Sequence, residues 1–148
     1  MKLLILNGPN INLLGVREPD IYGKGTYEEL IRLIRTHAEE TGLNVVFYQS
    51  NHEGALVDAI QNAFLEDKVD GIVFNPAAYT HTSVALLDAV KAIPIPVVEV
   101  HISDVDARED FRKVNFIRKA AIATISGRGF RGYLDAMDFL KDYIGGEK

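Results

Sequence analysis

Two places in this chain bring together residue types that could move protons. The first is the run N-G-P-N-I-N-L-L-G-V-R-E-P-D-I-Y-G, residues 7–23, which puts Arg17 five residues before Tyr22. An arginine keeps its positive charge at any working pH. Close to a tyrosine it stabilises tyrosinate and makes the phenol a base. That points to proton abstraction rather than metal, cofactor or thiol chemistry. The second place is V-E-V-H, where Glu99 and His101 stand two apart on an apolar strand and so share a face. A carboxylate there fixes the imidazole tautomer and keeps the ring protonated.

Each of these features also has an ordinary structural reading. Asn7-Gly8-Pro9-Asn10 is good turn chemistry. Tyr22 beside Gly23 also reads as a packed loop tyrosine, His81 in T-H-T-S as a neighbour of a helix N-cap, and His101 as a satisfied buried histidine. His37 and His52 read as surface residues, and the four histidines fit no zinc spacing. The chain has no cysteine, which excludes disulfides, thiolate-held metal and a thiol nucleophile. Where a dinucleotide fold needs Gly-x-Gly-x-x-Gly after the first strand, Asn7-Gly8-Pro9-Asn10 stands instead. A Walker loop is absent too. Asn7 and Asn75 occupy the places where a phospho-acceptor receiver needs acids.

The elements that must position these residues follow from hydrophobic period. Leu3–Leu6, Val45–Tyr48, Gly71–Phe74, Val97–Val100 and Ala120–Ile125 read as strands. Thr26 with Glu29 makes a capping box for a helix ending at Gly42. Gly54–Leu65, Ser83–Ala92 and Gly132–Ile144 read as further helices, and Arg108–Asn115 as a short helix or turn. Strands alternating with helices predict an α/β fold: a flavodoxin-like three-layer sandwich with a five-stranded parallel sheet, order 2-1-3-4-5. Residues 1–148 are expected to form one catalytic domain, and 47% hydrophobic residues suffice for its core. The ligand crevice of such a sheet lies beyond the carboxyl ends of its strands. Asn10, Arg17 and Tyr22 follow the first strand, Asn75 and His81 the third, and His101, Ser103 and Arg108 the fourth. Ser126, Gly127 and Arg128 follow the fifth. The net charge of -5 argues against a nucleic-acid partner. No apolar run reaches the roughly 18 residues of a membrane span. The chain opens directly on a strand with no leader pattern, so a cytoplasmic protein is expected.

In four segments the chain resembles the type II 3-dehydroquinate dehydratases throughout its length. They are residues 7–23, Y-Q-S-N-H-E-G at 48–54, N-P-A-A-Y-T-H-T-S-V-A-L-L-D at 75–88 and V-E-V-H-I-S-D-V-D-A-R-E-D-F-R at 98–112. The resemblance implies anti elimination of water from 3-dehydroquinate through an enolate to give 3-dehydroshikimate. The pathway is that of shikimate and the aromatic amino acids, or quinate breakdown. It implies no metal and no cofactor.

Carried onto this chain, the family's base is Tyr22, with Arg17 and Arg108 as its cationic neighbours. Half ionisation of a tyrosine near pH 7 takes roughly 4 kcal/mol of differential stabilisation. Asn10 matches the residue that orients a water against the enolate oxygen. His101 matches the general acid, with Glu99 orienting it. Asn75, His81 and Arg112 match substrate-binding positions, and Ile102 and Ser103 the carboxylate site. Asp88 matches an aspartate that reaches the active site of a neighbouring subunit. The resemblance implies a homododecamer, a tetramer of trimers. It also makes the loop around Arg17 and Tyr22 a lid.

Several positions depart from the family pattern. Ala77 stands where glycine is common, and Asp104 and Asp106 where asparagine and histidine are more usual. Arg128 and Arg131 stand where small or uncharged residues are more frequent; one of them is expected to pair with Asp104 or Asp106. Two other classes of function compete. A flavodoxin-like module carrying nucleotide or flavin is disfavoured by the missing phosphate loop. An inactive scaffold is disfavoured by intact Tyr22, Arg17 and His101.

Overall fold

Leu3, Leu4, Ile5 and Leu6 are all buried, so the first strand has no solvent face. A computed structural model describes residues 1–16, 18–22 and 25–146, apart from the side chains of residues 19 and 22. The first strand, β1 (Lys2–Asn7), pairs in parallel with β2 (Asn44–Gln49) on one side and β3 (Gly71–Asn75) on the other. Beyond β3 lie β4 (Val97–His101) and β5 (Ala123–Ser126), also parallel, giving the order 2-1-3-4-5. This is the expected flavodoxin-like sheet.

Alternation along the strands divides the core in two. Leu3, Ile5, Val73, Val98 and Val100 pack against α2 (Tyr27–Thr41) and α5 (Arg131–Gly146). Leu4, Leu6, Ile72, Phe74 and Val97 pack against α3 (Glu53–Leu65) and α4 (Val84–Ala92). The capping box at Thr26 is present, and Gly42 ends α2 in the left-handed region at φ 73°. The long loop after β1 holds a 3-10 turn at Ile11–Leu13 and a single helical turn, α1 (Pro19–Tyr22). Among the described residues no helix is long and apolar enough to cross a membrane.

The fifth strand corrects the sequence expectation of Ala120–Ile125. A 3-10 turn at Ile117–Lys119 precedes it, and the amides of Ala120 and Ala121 both donate to the Ile117 carbonyl. Pairing begins only at Ala123. The apolar run from Ala120 belongs partly to this turn, which a period of two cannot distinguish from a strand start. The 3-10 turn Ala77–His81 was likewise not foreseen.

Two features open the sheet at its carboxyl end. Pairing of β3 with β4 stops at Phe74–Glu99, so Asn75 and His101 lie past the last rung. The loops leaving β1 and β3 meet at Gly8, whose amide donates to the Asn75 carbonyl at 2.8 Å. A Cβ there would lie 2.6 Å from the Pro76 carbonyl oxygen. Gly8→Ala is therefore expected to cost about 1–3 kcal/mol as the two loops are forced apart. Urea denaturation checks this; an unchanged midpoint would mean that the loops part freely.

Candidate active site

The cleft beyond β3 and β4 is lined by Asn10, Asn75, His81, His101, Ile102, Ser103, Arg108 and Arg112, all expected from the sequence. Glu99 lies beneath it, fully buried. Pro9, Ile11, Ala77, Ala78 and Val105 complete the wall.

Glu99 and His101 project from the same face of β4. The His101 Nε2 lies 2.9 Å from Glu99 Oε2, leaving Nδ1 as the ring's other nitrogen for the cleft. Three more donors surround the carboxylate. The Thr80 hydroxyl is 2.5 Å from Oε2, while Asn115 Nδ2 and the Thr124 hydroxyl are 2.9 and 3.0 Å from Oε1. The Asn115 amide is fixed in orientation because its Oδ1 accepts the Arg118 backbone N–H at 2.9 Å. Thr80 also lies 2.7 Å from that Oδ1. It has one proton, and the charged carboxylate is the stronger acceptor. Burial pushes the Glu99 carboxyl up, but His101, Thr80 and Asn115 outweigh it and hold the group below the usual range. Glu99 is thus an anion that fixes the orientation of the His101 ring.

Peptide geometry gives one side of the cleft a character suited to an anion. The His101 and Ser103 carbonyls accept the Gly127 amide, and the Ile102 carbonyl accepts the Gly129 amide at 3.1 Å. In a trans peptide the next N–H points opposite to the carbonyl. The amides of Ile102 and Ser103 are therefore turned away from the 127–129 loop. Gly127 and Gly129 make this loop possible at φ 76° and 59°. Arg108 and Arg112 add positive charge to the same cleft. Arg112 is steadied by Glu109, which accepts from its Nε, and by the Phe111 ring 5.3 Å away.

His81 Nδ1 lies 2.7 Å from the Val114 carbonyl. A carbonyl only accepts, so Nδ1 carries the proton. Desolvation lowers the His81 pKa, and the charges of His101 and Arg112 act the same way. The neutral ring then offers Nε2 as an acceptor. Asn10 sits in the left-handed region at φ 70°, and its amide donates to Asn51 Oδ1 at 3.0 Å. Gln49 Nε2 reaches the Gly8 carbonyl at 3.1 Å, so the segment 48–54 braces the loop that carries Asn10.

Arg17 lies outside the described residues, as does the side chain of Tyr22. Asp88 is exposed on α4 and does not line the cleft. Among the described residues no three His, Cys, Asp or Glu side chains converge as a metal site requires. The expected pairing of Arg128 or Arg131 with Asp104 or Asp106 is not found. Both arginines pair with Asp135 on α5, Arg128 from the preceding loop at 3.0 Å and Arg131 from one helical turn away at 3.5 Å. Asp106 lies 3.6 Å from Arg118 instead. Asp104 caps the 3-10 turn Val105–Ala107 by accepting the Asp106 amide, and it does not line the cleft. Ala77 adopts φ 52°, a conformation costing a non-glycine residue about 1 kcal/mol. Sequence reasoning gave no role to Asn115 or Thr124. A signal for Thr124 existed: it is a polar residue inside an apolar strand, in register with Glu99.

The family model for class II dehydroquinase matches residues 1–141. The chain is 51% identical over 144 residues to the 3-dehydroquinate dehydratase of Caldicellulosiruptor saccharolyticus, covering 97% of this chain and 99% of that protein. It is 54% identical over 139 residues to the 3-dehydroquinate dehydratase of Corynebacterium glutamicum, 94% of each. The crystal structure of a type II dehydroquinase from Butyrivibrio crossotus superposes with a TM-score of 0.93 at 46% identity, covering 95% of this chain and 97% of that one.

The Glu99 cage has a pH signature. Its folded pKa is depressed, so its contribution to stability is complete above the unfolded carboxyl pKa and is lost as pH falls through the lower folded value. Glu99→Gln places an amide NH2 against donors and is expected to cost about 1–3 kcal/mol at pH 7. The deficit should shrink below about pH 4.5, where wild type loses its own advantage. Urea midpoints of both proteins across the acid range check this; a pH-independent difference would refute it.

Proposed function

The chain belongs to the class II dehydroquinase family, and from that premise we propose how its residues carry out the reaction. The reaction is that of a hydro-lyase in the shikimate pathway: water leaves 3-dehydroquinate to give 3-dehydroshikimate. The Tyr22 phenolate, stabilised by Arg17 and Arg108, takes a proton from the carbon next to the ketone. The electron pair moves onto the ketone oxygen, where a water held by Asn10 stabilises the enolate. The enolate then collapses and expels the β-hydroxyl, which takes a proton from His101 and departs as water. Base and acid act from opposite sides of the ring, an anti elimination. The substrate carboxylate rests on the amides of Ile102 and Ser103 with the Ser103 hydroxyl. Asn75, His81 and Arg112 bind its other oxygens. The observation that carries this reading is the buried Glu99–His101 pair beneath a cleft that also holds Arg108 and Arg112.

Residues 1–148 form one catalytic domain in this proposal, working in the cytoplasm as a homododecamer, a tetramer of trimers. Asp88, exposed on α4, is the residue that a second copy would use. Light scattering should then report about twelve chains of 16.4 kDa; a monomer would remove the role of Asp88.

The reaction gives a conjugated enone, so ultraviolet absorbance follows it directly. With purified protein in chelator, absorbance is expected to rise on adding 3-dehydroquinate and to survive borohydride treatment. Tyr22→Phe should lower kcat by about 10²–10⁴-fold, the usual worth of a general base. Near-normal turnover in that variant, or inactivation by borohydride, would overturn the tyrosinate mechanism.

A further inference from the structure

Asn75 takes part in a buried chain of hydrogen bonds whose central member, Tyr133, lies outside all four segments of family resemblance. Asn7 and Asn75 are neighbours in register at the ends of β1 and β3. By alternation they share the face of Leu3, Ile5 and Val73, the face that α5 covers. From α5, Tyr133 reaches both with its hydroxyl, and its side chain has no solvent exposure.

The direction of each bond is fixed. The Ala77 backbone N–H can only donate, and it lies 3.0 Å from Asn75 Oδ1. The other end of that amide is therefore nitrogen, and it donates to the Tyr133 oxygen at 2.8 Å. The Tyr133 proton must then go to Asn7 Oδ1, at 2.6 Å. Burial raises the Tyr133 pKa well above the usual phenol value, so the proton stays in place. An amide nitrogen carries two hydrogens. Tyr133 takes one of those on Asn75; among the described residues the other has no partner, and Asn75 lines the cleft.

We propose that Tyr133 is a positioning residue for substrate: it locks the Asn75 amide so that the free Nδ2–H faces the cleft and donates to a substrate oxygen. The phenol never meets the substrate itself; it acts by holding the amide plane and by accepting the first hydrogen. This rests on the reading of Asn75 as a substrate-binding residue.

The test is a double-mutant cycle on the full-length protein with 3-dehydroquinate as the probe, reading KM and kcat separately. Tyr133→Phe removes one buried oxygen and is expected to raise KM roughly three- to tenfold, the worth of one neutral hydrogen bond, with kcat within about twofold. Asn75→Ala should raise KM at least as much. Adding Tyr133→Phe to Asn75→Ala should raise it no further. A purely structural role would lower the melting temperature and leave KM alone, and that result overturns the proposal. So does an equal rise in KM in the Asn75→Ala background. If Asn75→Ala itself leaves KM unchanged, the substrate role of Asn75 fails and the proposal falls with it. That pattern differs from one in which only Tyr133→Phe is silent. Should Tyr133→Phe not fold, Asn7→Ala breaks the same chain one bond further on, and an unchanged KM there overturns the proposal equally.

Discussion

A carboxylate in the middle of a buried strand is costly unless hydrogen bonds replace the water it loses. Glu99 meets that demand with four donors drawn from four parts of the chain: Thr80 after β3, His101 on β4, Asn115 before β5 and Thr124 on β5. A carboxylate offers about four acceptor positions, so the cage is full. Its completeness ties the strand order to the chemistry. Thr124 is in place because β5 pairs with β4 in the register that sets it beside Glu99. Asn115 is in place because the Phe116 amide is bonded to the Thr80 carbonyl at 2.8 Å. The same contacts that make the anion tolerable also orient the imidazole above it.

The cleft draws on both faces of the sheet. Glu99 and His101 share the face that α4 covers, with Val97 and Phe74. Asn7 and Asn75 share the face that α5 covers, with Ile5 and Val73. These two polar clusters meet only past the end of the sheet, where β3 and β4 separate. Each is kept dry by its own hydrophobic layer, which strengthens its hydrogen bonds. Of the residues that depart from the family pattern, Ala77 lines the cleft and its amide holds Asn75, while the four charged ones stay outside this arrangement. Asp104 serves a turn, Asp106 lies near Arg118, and Arg128 and Arg131 pair with Asp135.

Strand order, the parallel sheet and the two helical layers were legible in the sequence because they rest on period. Strands apolar on both sides, a capping box at Thr26 and a stop at Gly42 are local signals, and the structure repeats them. The grouping of Asn10, Asn75, His81 and His101 was legible too, since in such a sheet everything after a strand falls at one end. The start of β5 was not, because an apolar run before a strand carries no mark of the turn that uses it. The pairing of Arg128 and Arg131 was missed for a similar reason. An acid near the start of α5, four residues from Arg131 and seven from Arg128, competes better than one on another loop, and that is settled by where the helix begins.

What the sequence determined by itself is which residues lie at the cleft end of the sheet and which reaction the chain's family carries out, because both follow from local pattern and motif. Tertiary structure alone decided the partners that hold those residues. Tyr133 meets Asn75 across 58 residues and Asn7 across 126. No short-range period encodes such a meeting. It depends on how α5 lies against the sheet, which the whole core sets at once.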